Sequence, residues 1–412
     1  PGEKPDFSNF SWFSMMFSAG IGVGMLTWAV AEPVTHFANN PEVIQGLTTG
    51  GGADNVRMAY KWSFLHWGFG AWSCYAIAGL SMAFFSYRRA LPLTIRSSLT
   101  PIFGKVLSGP LGHLIDIVAV VATILGVAQT LGFGAEQFVA GLTRIGIGGL
   151  VNADGTTNSS GIVIALILIM GASTLSALSG VRKGIKWLSN INMFLSIILL
   201  GFLIIFGSTF FGGSALLFGI WDYVIALPQM SINVWGTDGV EGSEAFLLTQ
   251  WQGSWPVFYW AWWIAFAPFV GLFLARISRG RTIREFVLGA MFVPSLMCFI
   301  WFAWAGGTAI DLELNGGANG LILDTANGDK IFAMTAFILA PIGEWLAWGM
   351  ALLIVALLMT FLVTSADSAV LIVNTINAGG DEGPKARPHI LFWGAALGLV
   401  VVGLLISGGT EA

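Results

Sequence analysis

The sequence predicts an all-α polytopic membrane protein, and three observations carry that prediction. The 412 residues are 56% hydrophobic and 10% charged, with a mean hydropathy of +0.80. A soluble domain carries about 25% charged residues, so this chain cannot cover a water-facing surface with charge. Apolar runs of the ~20 residues that cross a bilayer recur from end to end. The 54 glycines suit helices that approach closely in lipid. A net charge of −4 without a basic cluster gives no reason to expect nucleic acid. Cys74 and Cys298 both lie in apolar runs, which indicates neither a disulfide framework nor a metal site.

Taken in order, nine spans are expected: 11–31, 56–87, 112–142, 160–179, 188–212, 255–275, 285–306, 334–370 and 388–408. With residues 1–10 inside the cell, fourteen of the 18 cations fall on the inner side, including Lys4, Arg88, Arg96, Arg182, Lys183, Arg279, Arg281 and Lys385. Arg57, Lys61, Arg144 and Lys330 fall outside, as the positive-inside rule predicts. Arg279, Arg281 and Arg284 are expected to fix topology and to form an inner gate with acids. The segment 213–254 carries acids but no cation, and within it 215–230 is read as an interfacial amphipathic helix. The whole of 1–412 is read as one transporter domain. Residues 11–212 hold five helices, 213–254 is an outside loop, and 255–408 holds four more. Two inverted repeats of five would need a further helix after Ala412, so a piece of a longer chain is expected, starting as it does at Pro1.

Three clusters inside the spans carry chemistry. The first helix contains "SAGIGVGMLTW", with Gly20, Gly22 and Gly24 at a spacing of two. Such glycines either let helices pack closely or mark an unwound segment lining a site. The spacing, which puts successive glycines on different faces, favours the second. The eighth span carries "TSADSA", where Thr364 and Ser365 either bond their own backbone or supply hard oxygens to a small cation such as sodium. Asp367 beside them is an intramembrane acid and so a functional candidate. The third cluster is aromatic: "WQGSWPVFYWAWWIAFAPF" holds nine rings between Trp251 and Phe269, and "FLHWGFGAWSCY" adds Trp67, Trp72 and Tyr75 within one arc of a helix. Rings at helix ends form interfacial belts, but Trp260, Trp262 and Trp263 lie well inside the span. They are either core packing or walls of a box for an onium cation, each ring contributing about 0.5–2 kcal/mol of cation–π attraction. His66 is read as a structural histidine bonded to backbone, and Glu32 before Pro33 as the end of the first helix.

At these motifs the chain resembles the betaine/choline/carnitine transporter family, from "SWFSMMFSAGIGVGMLTWAVAEP" through "HWGFGAWSCYAIAGL" and "SGVRKGIKWLSNINM" to "FYWAWWIAFAPFVGLFLARISRGRTIREF" and "TFLVTSADSA". The resemblance implies a five-plus-five inverted-repeat (LeuT-like) core preceded by two further helices. It implies an aromatic box of Trp67, Trp72, Tyr75 and Trp263, with Trp260 and Trp262 along the pathway. Gly20, Ile21, Gly22 and Gly24 would complete the substrate site. A sodium site would use the carbonyls of Ser18 and Ile21 with Thr364 and Ser365. A second sodium would draw on Thr123 and Phe269, but Val127 replaces a hydroxyl there, and a family tryptophan is Phe266 here. Gly24, where choline carriers of the family commonly place an aspartate, favours a zwitterion that brings its own carboxylate. A homotrimer in the bacterial inner membrane is likewise implied, with the 215–230 helix as a contact.

The reading is a sodium symporter for a quaternary-ammonium or sulfonium zwitterion working by alternating access, without an organic cofactor. Two rivals share the fold: a proton-coupled choline or carnitine carrier and a sodium-independent exchanger. The exchanger would need a fixed cation that the segment from His113 to Leu142 does not supply. A membrane enzyme would need a nucleophile–base pair or a ligand cluster not visible in the spans. A channel would need a continuous polar stripe.

Overall fold

The computed structural model describes residues 3–20, 22–152, 155–180, 184–383 and 386–408. The helices are α1 (Asn9–Gly20), α2 (Gly22–Ala38), α3 (Pro41–Ile44), α4 (Val56–Trp67), α5 (Phe69–Ala83), α6 (Ile95–Phe103) and α7 (Pro110–Arg144). They continue as α8 (Ser159–Ser179), α9 (Lys186–Phe206), α10 (Thr209–Met230), α11 (Glu244–Gln252), α12 (Phe258–Ile277) and α13 (Ile283–Val287). The last are α14 (Val293–Leu314), α15 (Lys330–Leu339), α16 (Glu344–Asn377) and α17 (Arg387–Gly408). Among the described residues nine helices or helix pairs are long and apolar enough to cross a bilayer, and α1 with α2 forms a tenth if that bent pair is one span. The protein is an all-α, multi-pass membrane protein.

Four departures from the expected spans have local causes. The first helix is broken as its glycines suggest, α1 and α2 meeting at a bend of 65°. Gly22 and Gly24 nevertheless lie in the first turn of α2 and not in an unwound stretch; Ile21 is outside the described residues. Gly22 belongs there because a Cβ at that position would stand 2.1 Å from the Phe361 ring on α16. Glu32 does not end the helix, which runs on through Pro33 to Ala38. Proline removes an intrahelical hydrogen bond, and Gly306 of α14 packs directly on the distorted turn. A Cβ on Gly306 would sit 2.6 Å from Pro33 and 2.8 Å from the Ala29 carbonyl.

The expected second span is divided at Gly68 into α4 and α5. A non-helical glycine in the membrane frees backbone groups that need partners, and here the Phe69 N–H donates to the Tyr223 hydroxyl of α10 at 2.9 Å. The eighth span begins at Glu344, not at 334, because the turn Ala340–Gly343 separates α15 from α16. Pro341 cannot donate there, and Gly343 has φ 152°.

Finally, 209–230 is a single 22-residue helix that lies across α4 and α14. Its buried stripe holds Gly212, Ala215, Gly219 and Tyr223, while Phe210, Leu217, Trp221 and Ile225 face outward. That outward face is apolar at these four positions, as suits a helix resting against lipid. The fifth span accordingly stops at Phe206.

Buried apolar residues from nearly every helix join in one core. Within it α12 packs against α5 and α7, and α16 against α7, α8 and α9. These contacts bring the three sequence clusters into one layer.

Candidate functional site

The aromatic box assembles. Trp67 closes α4, Trp72 and Tyr75 follow on α5 beyond the Gly68 break, and Trp263 comes from α12. All four rings are at most 1% exposed. Trp67 meets Trp263 at a centroid distance of 5.2 Å and 80°, Tyr75 meets Trp263 at 5.9 Å and 88°, and Trp72 meets Tyr75 at 5.6 Å and 83°. These are edge-to-face contacts between rings closed over one another. Each indole N–H already has a protein partner. Trp67 donates to Glu32 Oε2 at 2.7 Å, Trp263 to the His66 carbonyl at 2.9 Å, and Trp72 to the Cys298 sulfur. What the tryptophans have left to offer is π surface.

The remaining pathway residues divide. Trp262 stacks on Trp263 at 5.0 Å and 12°, and a Cβ on Gly24 would stand 3.0 Å from Trp262 and 3.1 Å from Trp67. Gly24 therefore touches the box. Trp260 turns the other way, packing over Gly70 of α5. Phe266 lies 6.4 Å from Tyr75 and extends the apolar wall.

The sequence reading missed Glu32. Its carboxylate is fully buried and accepts from Trp67, from the Tyr259 hydroxyl and from His66 Nδ1 at 2.6 Å, with His36 Nε2 at 3.3 Å. His66 is thus bonded through its ring to an acid, not to backbone. The signal available in the sequence was Glu32 and His36 four residues apart, a spacing that puts both on one helical face.

Three of the four residues expected around sodium come together. Ser365 Oγ donates to the Ser18 carbonyl at 3.3 Å, and Asn192 Nδ2 of α9 bridges Ser18 Oγ at 3.3 Å and Thr364 Oγ1 at 3.1 Å. Thr364 Oγ1 also bonds the Thr360 and Phe361 carbonyls of its own helix, both at 3.0 Å. Ile21, the fourth, lies outside the described residues. Asn192 was not singled out from the sequence, although "SNIN" is a polar interruption in an apolar span. Asp367 is directed elsewhere, accepting from Ser176 of α8 and from Ser368 at 3.2 Å. At the second expected sodium position Thr123 Oγ1 is buried without a hydrogen-bond partner, Phe269 is buried, and Val127 is fully buried.

On the face expected inside, Arg279 pairs with Glu3 at 3.6 Å, while Arg281 donates to Asn9 at 2.9 Å and to the Phe7 carbonyl at 3.0 Å. Arg276 donates to the Glu382 carbonyl at 3.1 Å, and Tyr87 to the Glu382 carboxylate at 3.0 Å. These ties gather the segments expected inside onto one face.

The family model for betaine/carnitine/choline transporters matches residues 1–412. The chain belongs to this family. It is 38% identical over 412 residues to the high-affinity choline transport protein of Escherichia coli strain K12, all of this chain matching 57% of that protein's length. It is 37% identical over 416 residues to the glycine betaine transporter OpuD of Bacillus subtilis strain 168, covering 100% of this chain and 75% of that protein. A third relative, the osmo-independent choline transporter BetT1 of Acinetobacter baylyi, is 37% identical over 414 residues, with 100% and 74% covered. The chain thus spans little more than half the length of the Escherichia coli relative. Members of the betaine/carnitine/choline family are transporters, in agreement with the expectation that no enzyme chemistry is present.

Proposed function

We propose that the protein imports a betaine-like zwitterion, a carboxylate with a quaternary-ammonium or sulfonium head, by sodium symport and alternating access on a five-plus-five inverted-repeat core. The observation that carries this is the box in which every tryptophan N–H is engaged elsewhere. An onium head has no N–H to donate, so faces alone suit it. Four rings at about 0.5–2 kcal/mol each supply a substantial part of the roughly 8 kcal/mol of micromolar binding. Because the rings rest edge-to-face on one another, admitting a substrate requires them to part, which couples occupancy to movement of α12 against α5.

The ligand's carboxylate suits the N-terminal turn of α2, where Gly24 lies against Trp67 and Trp262. The dipole of a half-helix favours an anion there. Ser18, Thr364 and Ser365 support a sodium ion, whose inward movement is worth about 2.3 kcal/mol per 100 mV. A homotrimer with α10 at the contact is proposed on resemblance alone.

A second reading is choline, a cation without a carboxylate, and Glu32 favours it by placing an anion one hydrogen bond behind Trp67. Uptake of labelled glycine betaine and of choline by the full-length protein in liposomes, under an imposed sodium or proton gradient, separates these readings. Sodium-driven glycine betaine uptake that Trp263→Leu abolishes is the expected result. Uptake driven by protons without sodium, or unaffected by Trp263→Leu, would overturn the proposal.

A further inference from the structure

We propose that Glu32, His36 and His66 form a site for a divalent transition metal of the zinc class, on the outer side of the aromatic box. One donor atom from each residue lies within 4.8 Å of the other two, and all three residues are fully buried. Two imidazoles and one carboxylate are a donor set of zinc sites that keep a fourth position open. Imidazole also selects against magnesium and calcium, which prefer oxygen.

The geometry is close to what such an ion needs. Glu32 and His36 stand four apart on α2, and His66 faces them from the last turn of α4. Metal–ligand bonds of about 2.0–2.1 Å in tetrahedral array place donors about 3.3 Å apart, and His36 Nε2 is 3.3 Å from Glu32 Oε1. His66 Nδ1 is 2.6 Å from the same oxygen, a hydrogen-bond contact. A metal would replace that shared proton, which leaves for solvent when the ion binds.

Two further observations point to a ligand. His66 Nε2 is buried without a hydrogen-bond partner, and His36 Nε2 meets the Glu32 carboxylate only at 3.3 Å, a state that native proteins rarely leave unanswered. The other carboxylate oxygen, Glu32 Oε2, is held by Trp67 and Tyr259, the kind of outer support that orients ligating carboxylates. Trp255 and Trp251 cover His36 at ring distances of 4.3 and 5.5 Å. Parting of these indoles from the last turns of α2 is the entry path from outside.

A dication here stands behind Trp67 and opposes an onium cation in front of it, so metal and substrate should weaken each other's binding equally. That consequence rests on the transport reading; the metal site does not. Zinc chloride titrated calorimetrically into the chelator-washed, full-length protein, without substrate, tests the site. One zinc per chain is expected, with proton release and with visible bands of tetrahedral geometry when cobalt(II) is used. His36→Gln should weaken zinc by at least about tenfold, while His36→Cys should retain binding and shift preference toward cadmium. No saturable zinc binding, or equal binding by wild type and His36→Gln, would overturn the site. Should His36→Gln not fold, His36→Cys without the cadmium shift overturns it equally. Glycine betaine affinity unchanged by saturating zinc would overturn the antagonism alone.

Discussion

Trp67 is the residue on which the two halves of the site meet. Its face belongs to the box, and its N–H lies on the Glu32 carboxylate at 2.7 Å. An anion accepting from an indole also enriches the ring's electron density, so on the proposed reading Glu32 acts on a bound cation both directly and through Trp67. Glu32→Gln keeps the shape but removes the charge and sets an NH₂ against one of three donors. Affinity for choline should then fall by about 30-fold, the roughly 2 kcal/mol between unit charges ~8 Å apart at an effective dielectric near 20. Affinity for glycine betaine should fall less, because its own carboxylate offsets the missing one. Equal losses in equilibrium binding would mean that Glu32 matters through geometry alone. The rings were readable from sequence because their spacing and depth exclude an interfacial belt. Glu32 was not, because an acid before proline reads locally as a helix stop, and the packing of Gly306 against Pro33 joins residues far apart in sequence.

Among elements, the breaks position the site more than the regular helices do. At the α1–α2 bend, Gly22→Ala would push a methyl to 2.1 Å from the Phe361 ring, and overpacking of this kind costs about 1–3 kcal/mol. A lower melting temperature in detergent and loss of uptake are expected, with Phe361→Ala in the same chain restoring stability. No rescue would show that the two helices do not press on each other there. At the α4–α5 break, Tyr223→Phe leaves the Phe69 N–H unpartnered at a cost of about 1–3 kcal/mol. Because that break sets the angle between Trp67 and Trp72, substrate affinity should fall with little change in the sodium dependence of uptake. A sodium curve altered in step with affinity would argue against this placement. The first break was legible in its three glycines. The second was not, since one glycine in an apolar run carries the same signal as a packing contact, and the hydroxyl that completes it lies 154 residues away.

For the whole molecule, the distribution of cations predicts the sides, and the structure shows how those expected outside are accommodated. Arg57 pairs with Asp222 at 2.6 Å, Lys61 with Glu42, and Arg144 with Asp329. Lys330, 3% exposed, donates to the carbonyls of Ile322, Leu323 and Thr325 at 3.0, 2.6 and 2.6 Å. Glu313 accepts the N–H groups of Gly320, Ile322 and Leu323 at 2.7–2.9 Å, closing the same loop from the other side. Lys330→Met would strand these carbonyls and should lower the melting temperature and open the 315–329 segment to protease, with sodium dependence unchanged. An unchanged melting temperature would mean that Glu313 alone holds the loop. Pairings of this kind join residues far apart in sequence, so composition reveals their sign but not their partners.

The helix between the two sets of spans has one more consequence. Because α10 is tied to α4 through Arg57 and to the Gly68 break through Tyr223 while resting on α14, it must tilt whenever those helices part. Its outward Trp221, 64% exposed, is therefore a natural place for an environment-sensitive dye, a gauge of those motions that leaves the binding chamber untouched.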